Sequence, residues 1–213
     1  MTDQNTSDRK KTPEKVRPRK RILWDWAIVI GIFLVLTQTP YGTQIQSWLQ
    51  RGLLWTGVFQ PNIELAEEDI VSANYDIPLV TLDGKATSLR ALRGKVLFIN
   101  VWATWCAPCL AEMPFIQTLY DEIQDNRIAF VMVSTDETRE IAEKFIQARN
   151  FTFPVYHLTG PMPRPYTSSL IPTTYIVSAD GDVVAVHRGM ANYNSDRFKK
   201  FLMALANDAR HRL

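Results

Sequence analysis

Three patterns of hydrophobic and polar positions follow one another along the chain. Residues 22–36 read ILWDWAIVIGIFLVL, apolar throughout except for Asp25, and predict a helix. In residues 41–59, Ile45, Trp48, Leu49, Leu53 and Val58 or Phe59 recur at roughly helical spacing, which predicts a second helix with one apolar face. Two placements fit that helix. It lies on a membrane surface, or it packs on the domain that follows, which is the simpler reading. Residues 61–74 are polar and acidic, with Glu64, Glu67, Glu68 and Asp69, and read as a linker.

From Tyr75 onward, short apolar runs alternate with amphipathic ones. Residues 77–82 predict a strand, and Asp83-Gly84 a hairpin turn. The run VLFINVW (residues 96–102) is nearly continuous in apolar side chains, as expected of a strand buried on both faces. A helix follows, in which Phe115, Ile116, Leu119, Tyr120 and Ile123 recur at helical spacing, and Pro114 within it predicts a kink. Residues 128–134 form a second buried strand. Residues 138–150 form a helix facing inward through Ile141, Phe145 and Ile146, and residues 153–156 a short edge-like strand. Beyond a loop rich in Pro and Gly, residues 173–177 and 183–186 predict two strands joined by Asp180-Gly181. A closing helix over residues 195–206 shows Phe198, Phe201, Leu202 and Leu205 on one face. The order β-α-β-α-β-β-α defines an α/β protein.

Between the first buried strand and its helix lie the only two cysteines of the 213 residues, in Trp105-Cys106-Ala107-Pro108-Cys109. Thiols three positions apart at the start of a helix share a face, so they can close into a disulfide and reopen with little backbone movement. The helix N-terminus adds partial positive charge and free N–H groups beside the first sulfur, which favours the nucleophilic thiolate. Cys106, nearer that terminus, reads as the attacking thiol, and Cys109, one turn inside, as the thiol that resolves a mixed disulfide. Pro108 sits in the first turn, where a missing N–H costs nothing. A purely structural disulfide is the competing reading, but so small a loop restrains the unfolded chain little. A zinc site needs about four ligands, and His157, His187 and His211 have no ligand spacing. They read as structural, and no metal or other cofactor is expected.

Charge changes the picture at the N-terminus. Overall net charge is only +2, yet residues 1–21 hold eight Lys or Arg against three acidic residues. That polar tail precedes the apolar run, an arrangement that marks a signal sequence or signal anchor with its basic end in the cytoplasm. Fifteen residues reach about 22 Å at 1.5 Å each, short of a hydrocarbon core of about 30 Å. Snorkelling of Arg21, interfacial Trp24 and Trp26, and residues 37–39 make up the difference. No Ala-x-Ala cleavage site follows Leu36, so the segment is expected to stay as a transmembrane anchor over residues 22–39. The remainder divides into a juxtamembrane segment and linker (40–73) and a folded domain (74–213). A nucleic-acid-binding protein would carry its basic charge on the folded domain instead.

The stretch GKVLFINVWATWCAPCLAEMP, residues 94–114, resembles the active-site block of membrane-anchored TlpA/ResA-like proteins of the thioredoxin family. WCxPC, the preceding Asn-x-Trp-Ala, Glu112 and Pro114 all fall at that family's spacing, and a looser likeness extends over about residues 74–210. The resemblance implies a thioredoxin-like sandwich with a central mixed sheet. It implies that Ile171-Pro172 is a cis bond packed against the dithiol, with the backbone of Ile171 free to pair with an extended substrate; a strand-entry proline is the alternative. Trp105, Ala107 and Pro108 would line the substrate side, while Trp102 reads as core. Thioredoxins carry a buried Asp six residues before the first cysteine; here that place holds Asn100, which takes no proton. Glu112 is therefore the candidate base, against the alternative of a solvated helix glutamate.

The resemblance further implies a thiol–disulfide oxidoreductase that reduces disulfides in extracytoplasmic proteins, such as apocytochrome c or copper-site cysteines. It would be re-reduced by a membrane electron donor. The setting is a bacterial cytoplasmic membrane, crossed once, with the N-terminus in the cytoplasm and the catalytic domain in the periplasm or outside. A thiol peroxidase of the same fold would have Thr where Ala103 stands. A non-catalytic binding or chaperone module would need neither thiol.

Overall fold

The computed structural model describes residues 19–38, 40–61 and 70–208. The basic tail as far as residue 18, the acidic stretch 62–69 and His211 lie outside the described residues. Two helices come first, α1 (Arg19–Gln38) and α2 (Pro40–Trp55). Among the described residues, no helix is long and apolar enough to cross a membrane.

Eight strands then form one sheet: β1 (Val71–Ser72), β2 (Leu79–Thr81), β3 (Ala86–Thr87), β4 (Val96–Trp102), β5 (Ile128–Ser134), β6 (Val155–Leu158), β7 (Thr173–Val177) and β8 (Asp182–Arg188). Their spatial order is β1-β8-β7-β4-β5-β6-β2-β3. The pairs β4–β5 and β5–β6 are parallel and the others antiparallel, so the sheet is mixed. Helices α3 (Ala107–Glu122), α4 (Arg139–Arg149) and α5 (Asp196–Asp208) complete the domain. Gly84 and Gly181, at φ of 86° and 93°, make the two hairpin turns, a left-handed geometry that glycine adopts without penalty.

Strand β4 is central and every one of its seven residues is buried. Its alternation divides the core. Val96, Phe98 and Trp102 face a cluster with Leu110, Ile116, Leu119, Phe198 and Leu202 from α3 and α5. Leu97, Ile99 and Val101 face Val131, Val133, Tyr166 and Tyr175 on the other side. Each such side chain stabilises the fold by about 1.5–3 kcal/mol on burial, which is why the nearly continuous apolar run gave the strand away.

Three details differ from the sequence pattern. Strand β6 is internal, because β2 pairs onto its outer side through Leu79 and Leu158. Val71–Ser72, within the stretch that reads as linker, pairs with β8 at the edge of the sheet. Helix α4 buries Ala142 and Ile146 and leaves Ile141 exposed.

Helix α2 packs on α3, as the simpler reading has it. Leu54 is fully buried, and the Trp55 ring meets Phe115 edge-on at 6.5 Å. The side chain of Asn192 donates to the Leu54 carbonyl at 3.3 Å, and its backbone N–H to the Phe59 carbonyl at 2.9 Å. The apolar face read from the sequence, however, points away from the domain.

Candidate functional site

The polypeptide leaves β4 at Trp102 and turns through residues 103–105 into α3. Asp136, just beyond β5, holds that turn. Its buried carboxylate accepts from the Thr104 N–H at 3.0 Å, the Thr104 hydroxyl at 2.7 Å and the Ser134 hydroxyl at 2.8 Å. The parallel pairing Trp102↔Ser134 brings the two strand ends together. Nothing in the local sequence marks Asp136; its position at the end of β5 is the signal.

Cys106 is the N-cap of α3, and its sulfur accepts the Cys109 N–H at 3.2 Å. Ala107 and Pro108 fill the first turn, where proline needs no donor. The two cysteines form a disulfide with an S–S distance of 2.04 Å. Cys106 retains 5% of its surface and Cys109 none, so a partner reaches Cys106 first. Trp105 stands beside them 63% exposed, whereas Trp102 is core.

Pro172 is buried, and the Ile171–Pro172 peptide bond is cis. Thr173 pairs with Val101, which sets Ile171 and Pro172 at the end of β4 where the dithiol turn begins. Ile171 is half-buried and packs on the cluster that holds both cysteines.

Glu112 lies one turn beyond Cys109 and is 0% exposed, which removes the solvated alternative. Its Oε1 accepts from Asn100 Nδ2 at 2.8 Å, and its Oε2 from the Ala191 N–H at 3.1 Å. Burial drives its pKa up to about 8; the bonds from Asn100 and Ala191 pull the other way without cancelling the effect. The Asn100 amide also donates to Thr174 Oγ1 at 2.9 Å, which receives the Tyr193 hydroxyl at 2.7 Å. Burial first, and then the nearby Glu112 carboxylate, raises the Tyr193 pKa well above its usual value. Thr174, Tyr193 and the Ala191 amide are members of this buried network that sequence reasoning missed.

The histidines stand elsewhere, His157 on β6 and His187 on β8. Among the described residues, no group of three or more His, Cys, Asp or Glu side chains is placed to hold a metal ion.

A mixed sheet with a Cys-x-x-Cys disulfide at a helix N-terminus and a cis-proline beside it defines a thioredoxin-fold protein whose redox couple is Cys106–Cys109. The chain belongs to the redoxin family, whose model Redoxin it matches over residues 60–202. It is 36% identical over 126 residues to the thiol-disulfide oxidoreductase ResA of Oceanobacillus iheyensis, covering 59% of this chain and 65% of that protein. To the thiol-disulfide oxidoreductase ResA of Bacillus subtilis it is 31% identical over 132 residues, covering 60% of this chain and 74% of that one. The chain thus spans just under two thirds of the Oceanobacillus relative's length. Among solved structures, a secreted thiol-disulfide isomerase from Corynebacterium glutamicum superposes with a TM-score of 0.52 at 19% identity, covering 69% of this chain and 99% of that chain. A thiol:disulfide interchange protein from Bacteroides sp. gives 0.52 at 22% identity, covering 62% and 85%. These two share the fold.

Proposed function

We propose that this chain is a membrane-tethered thiol–disulfide oxidoreductase that reduces disulfides in extracytoplasmic proteins. The observation that carries the reading is the dithiol at the α3 N-terminus with the buried Glu112 carboxyl one turn behind Cys109. In the reduced protein, the Cys106 thiolate attacks one sulfur of a substrate disulfide, and the other substrate sulfur leaves as a thiolate that takes up a proton. Glu112 accepts the proton of Cys109, whose sulfur then attacks Cys106. The Cys106–Cys109 disulfide closes, the second substrate thiol departs, and two electrons have moved to the substrate. A pKa near 8 beside a thiol of ordinary pKa about 8.5 makes that proton transfer close to balanced.

Trp105 and the backbone of Ile171 flank Cys106 as the docking surface for an extended segment. A membrane electron donor restores the dithiol. The tether is the segment 22–39, whose apolar run is short for a span by itself and is lengthened at the interface by Trp24 and Trp26; the basic block ahead of it and the exposure of Trp24, Trp26, Ile28, Val29 and Ile30 support it. The N-terminus lies in the cytoplasm and the domain on the far side of a bacterial cytoplasmic membrane. Cytochrome- or copper-site cysteines are the substrates the sequence resemblance favours.

Two measurements test this. Cys109→Ser leaves Cys106 able to attack and unable to be released, so covalent partners accumulate on it; none would accumulate on a binding module. Equilibration against glutathione or dithiothreitol buffers gives a potential near or below about −230 mV for a reductant, and one above about −180 mV overturns the direction of electron flow.

A further inference from the structure

Helix α2 is built with its polarity reversed. The side turned to the domain carries Ser47, Gln50, Arg51 and Leu54, of which Ser47 and Leu54 are buried and Gln50 and Arg51 half-buried. The side turned outward carries Ile45, Trp48, Leu49 and Leu53, with Trp48 69% exposed, and Trp55 stands at its border, 78% exposed but with its ring edge-on to Phe115. The positions 45, 48, 49, 52 and 53 fall on one stripe at helical spacing, with 55 at its border, and no charged residue interrupts it. Meanwhile Gln50 Oε1 and Arg51 Nε are buried with no hydrogen-bond partner among the described residues. Burial, with Arg149 nearby, lowers the pKa of Arg51.

In water this orientation is unfavourable on both faces, since apolar surface is wetted and polar groups lose their solvent. It becomes favourable when the outer face meets an apolar medium. Two features decide which medium. Helix α2 follows α1 after a single residue, and the described apolar side chains of α1, including Ile28, Ile30 and Ile32, are exposed as well. The outer face of α2 and its border also carry two tryptophans, side chains that concentrate at the level of lipid headgroups.

We infer that the outer face of α2 lies in the lipid surface and docks the redox domain on the membrane. The choice of lipid over a protein partner rests on the anchoring of α1 proposed above. The docked helix is fastened to the site by one loop. Asn192 binds the carbonyls of Leu54 and Phe59, and its neighbour Ala191 donates to Glu112. The dithiol helix α3 packs on the inner face of α2, so docking holds Cys106 in a fixed orientation to the bilayer, suited to exchange with a donor embedded there.

Spin labels on the full chain, in a Cys106→Ser/Cys109→Ser background and in phosphatidylethanolamine–phosphatidylglycerol vesicles, test this. Labels at Leu49→Cys and Leu53→Cys are expected to be severalfold less reachable by an aqueous nickel reagent than one at Gln44→Cys, and severalfold more reachable by lipid-dissolved oxygen. A label at Ile30→Cys reports α1 separately. If Ile30→Cys is in lipid while the α2 labels stay aqueous, the docking is overturned and the tether stands. If the α2 labels are in lipid and Ile30→Cys is aqueous, the docking stands and the tether falls. Shielding of the α2 labels from both reagents means a protein covers the face, which overturns the lipid assignment. With native side chains, quenching of the full chain's fluorescence by brominated lipids should fall in Trp48→Phe/Trp55→Phe; unchanged quenching overturns the docking.

Discussion

Asn100 Nδ2 donates to Glu112 Oε1 across 2.8 Å of buried space, joining the middle of β4 to the second turn of α3. The pair divides two tasks between two side chains. An amide can orient a carboxyl but cannot carry its proton, whereas a carboxyl at this depth holds a proton near neutrality because burial penalises its charge. About a tenth of it is ionised at pH 7 with a pKa near 8.

Replacing Glu112 with Gln keeps the shape and the acceptor oxygen and removes the titration. The rate of mixed-disulfide resolution by Cys109 should fall about 10²-fold or more at pH 7. Its pH profile should also lose the inflection near 8 that the carboxyl imposes. Stopped-flow single-turnover kinetics from pH 5 to 10 measure both. An unaltered profile would remove Glu112 from proton transfer.

The same carboxyl makes stability depend on pH with a defined sign. Its folded-state pKa, about 8, lies above the ordinary 4.5. The folded protein therefore binds the proton more tightly than the unfolded chain. The contribution is complete below about pH 4.5 and is lost as pH rises through about 8, to an upper bound of about 5 kcal/mol at about 1.4 kcal/mol per unit. Urea unfolding of the oxidised protein should show stability declining between pH 5 and 9, and Glu112→Gln should flatten the decline.

What the sequence made legible follows a physical rule. Strand β4 announced itself because burial on both faces demands a nearly unbroken apolar run, and the Asp180-Gly181 turn because only a few residues tolerate its φ. The dithiol was legible because two cysteines at this spacing have few structural uses. Glu112 was ambiguous: a helix glutamate reads as solvated until Asn100 and Ala191, 12 and 79 residues away in the chain, close over it. The internal position of β6 depends likewise on the distant pairing of Leu79 with Leu158. For α2, periodicity gave the stripe, but no local signal says which way a stripe faces.

Asp136 ties the turn before the dithiol to the end of β5, so removing its acceptors should act locally before it acts globally. Asp136→Ala leaves the Thr104 N–H and two hydroxyls without their partner. A loss of about 1–3 kcal/mol is expected, and Asp136→Asn, which keeps one acceptor oxygen, should lose less. Amide hydrogen exchange at residues 104–106 should accelerate in the alanine variant more than exchange in β5. Equal acceleration everywhere would make Asp136 a general core residue instead of a fastening for the turn.

Trp105 separates recognition from chemistry. It is the large exposed apolar side chain beside Cys106, and it makes no hydrogen bond to the Asn100–Glu112 network. Trp105→Ala should therefore weaken a protein substrate by about 1–2 kcal/mol, roughly a tenfold rise in KM, while kcat holds. A small aromatic disulfide that makes no use of the flat indole should be reduced at an unchanged rate, and the reduction potential should not move. Parallel loss toward both substrates would mean that Trp105 supports the geometry of the dithiol turn, and the docking surface would then have to lie on the Ile171 side alone.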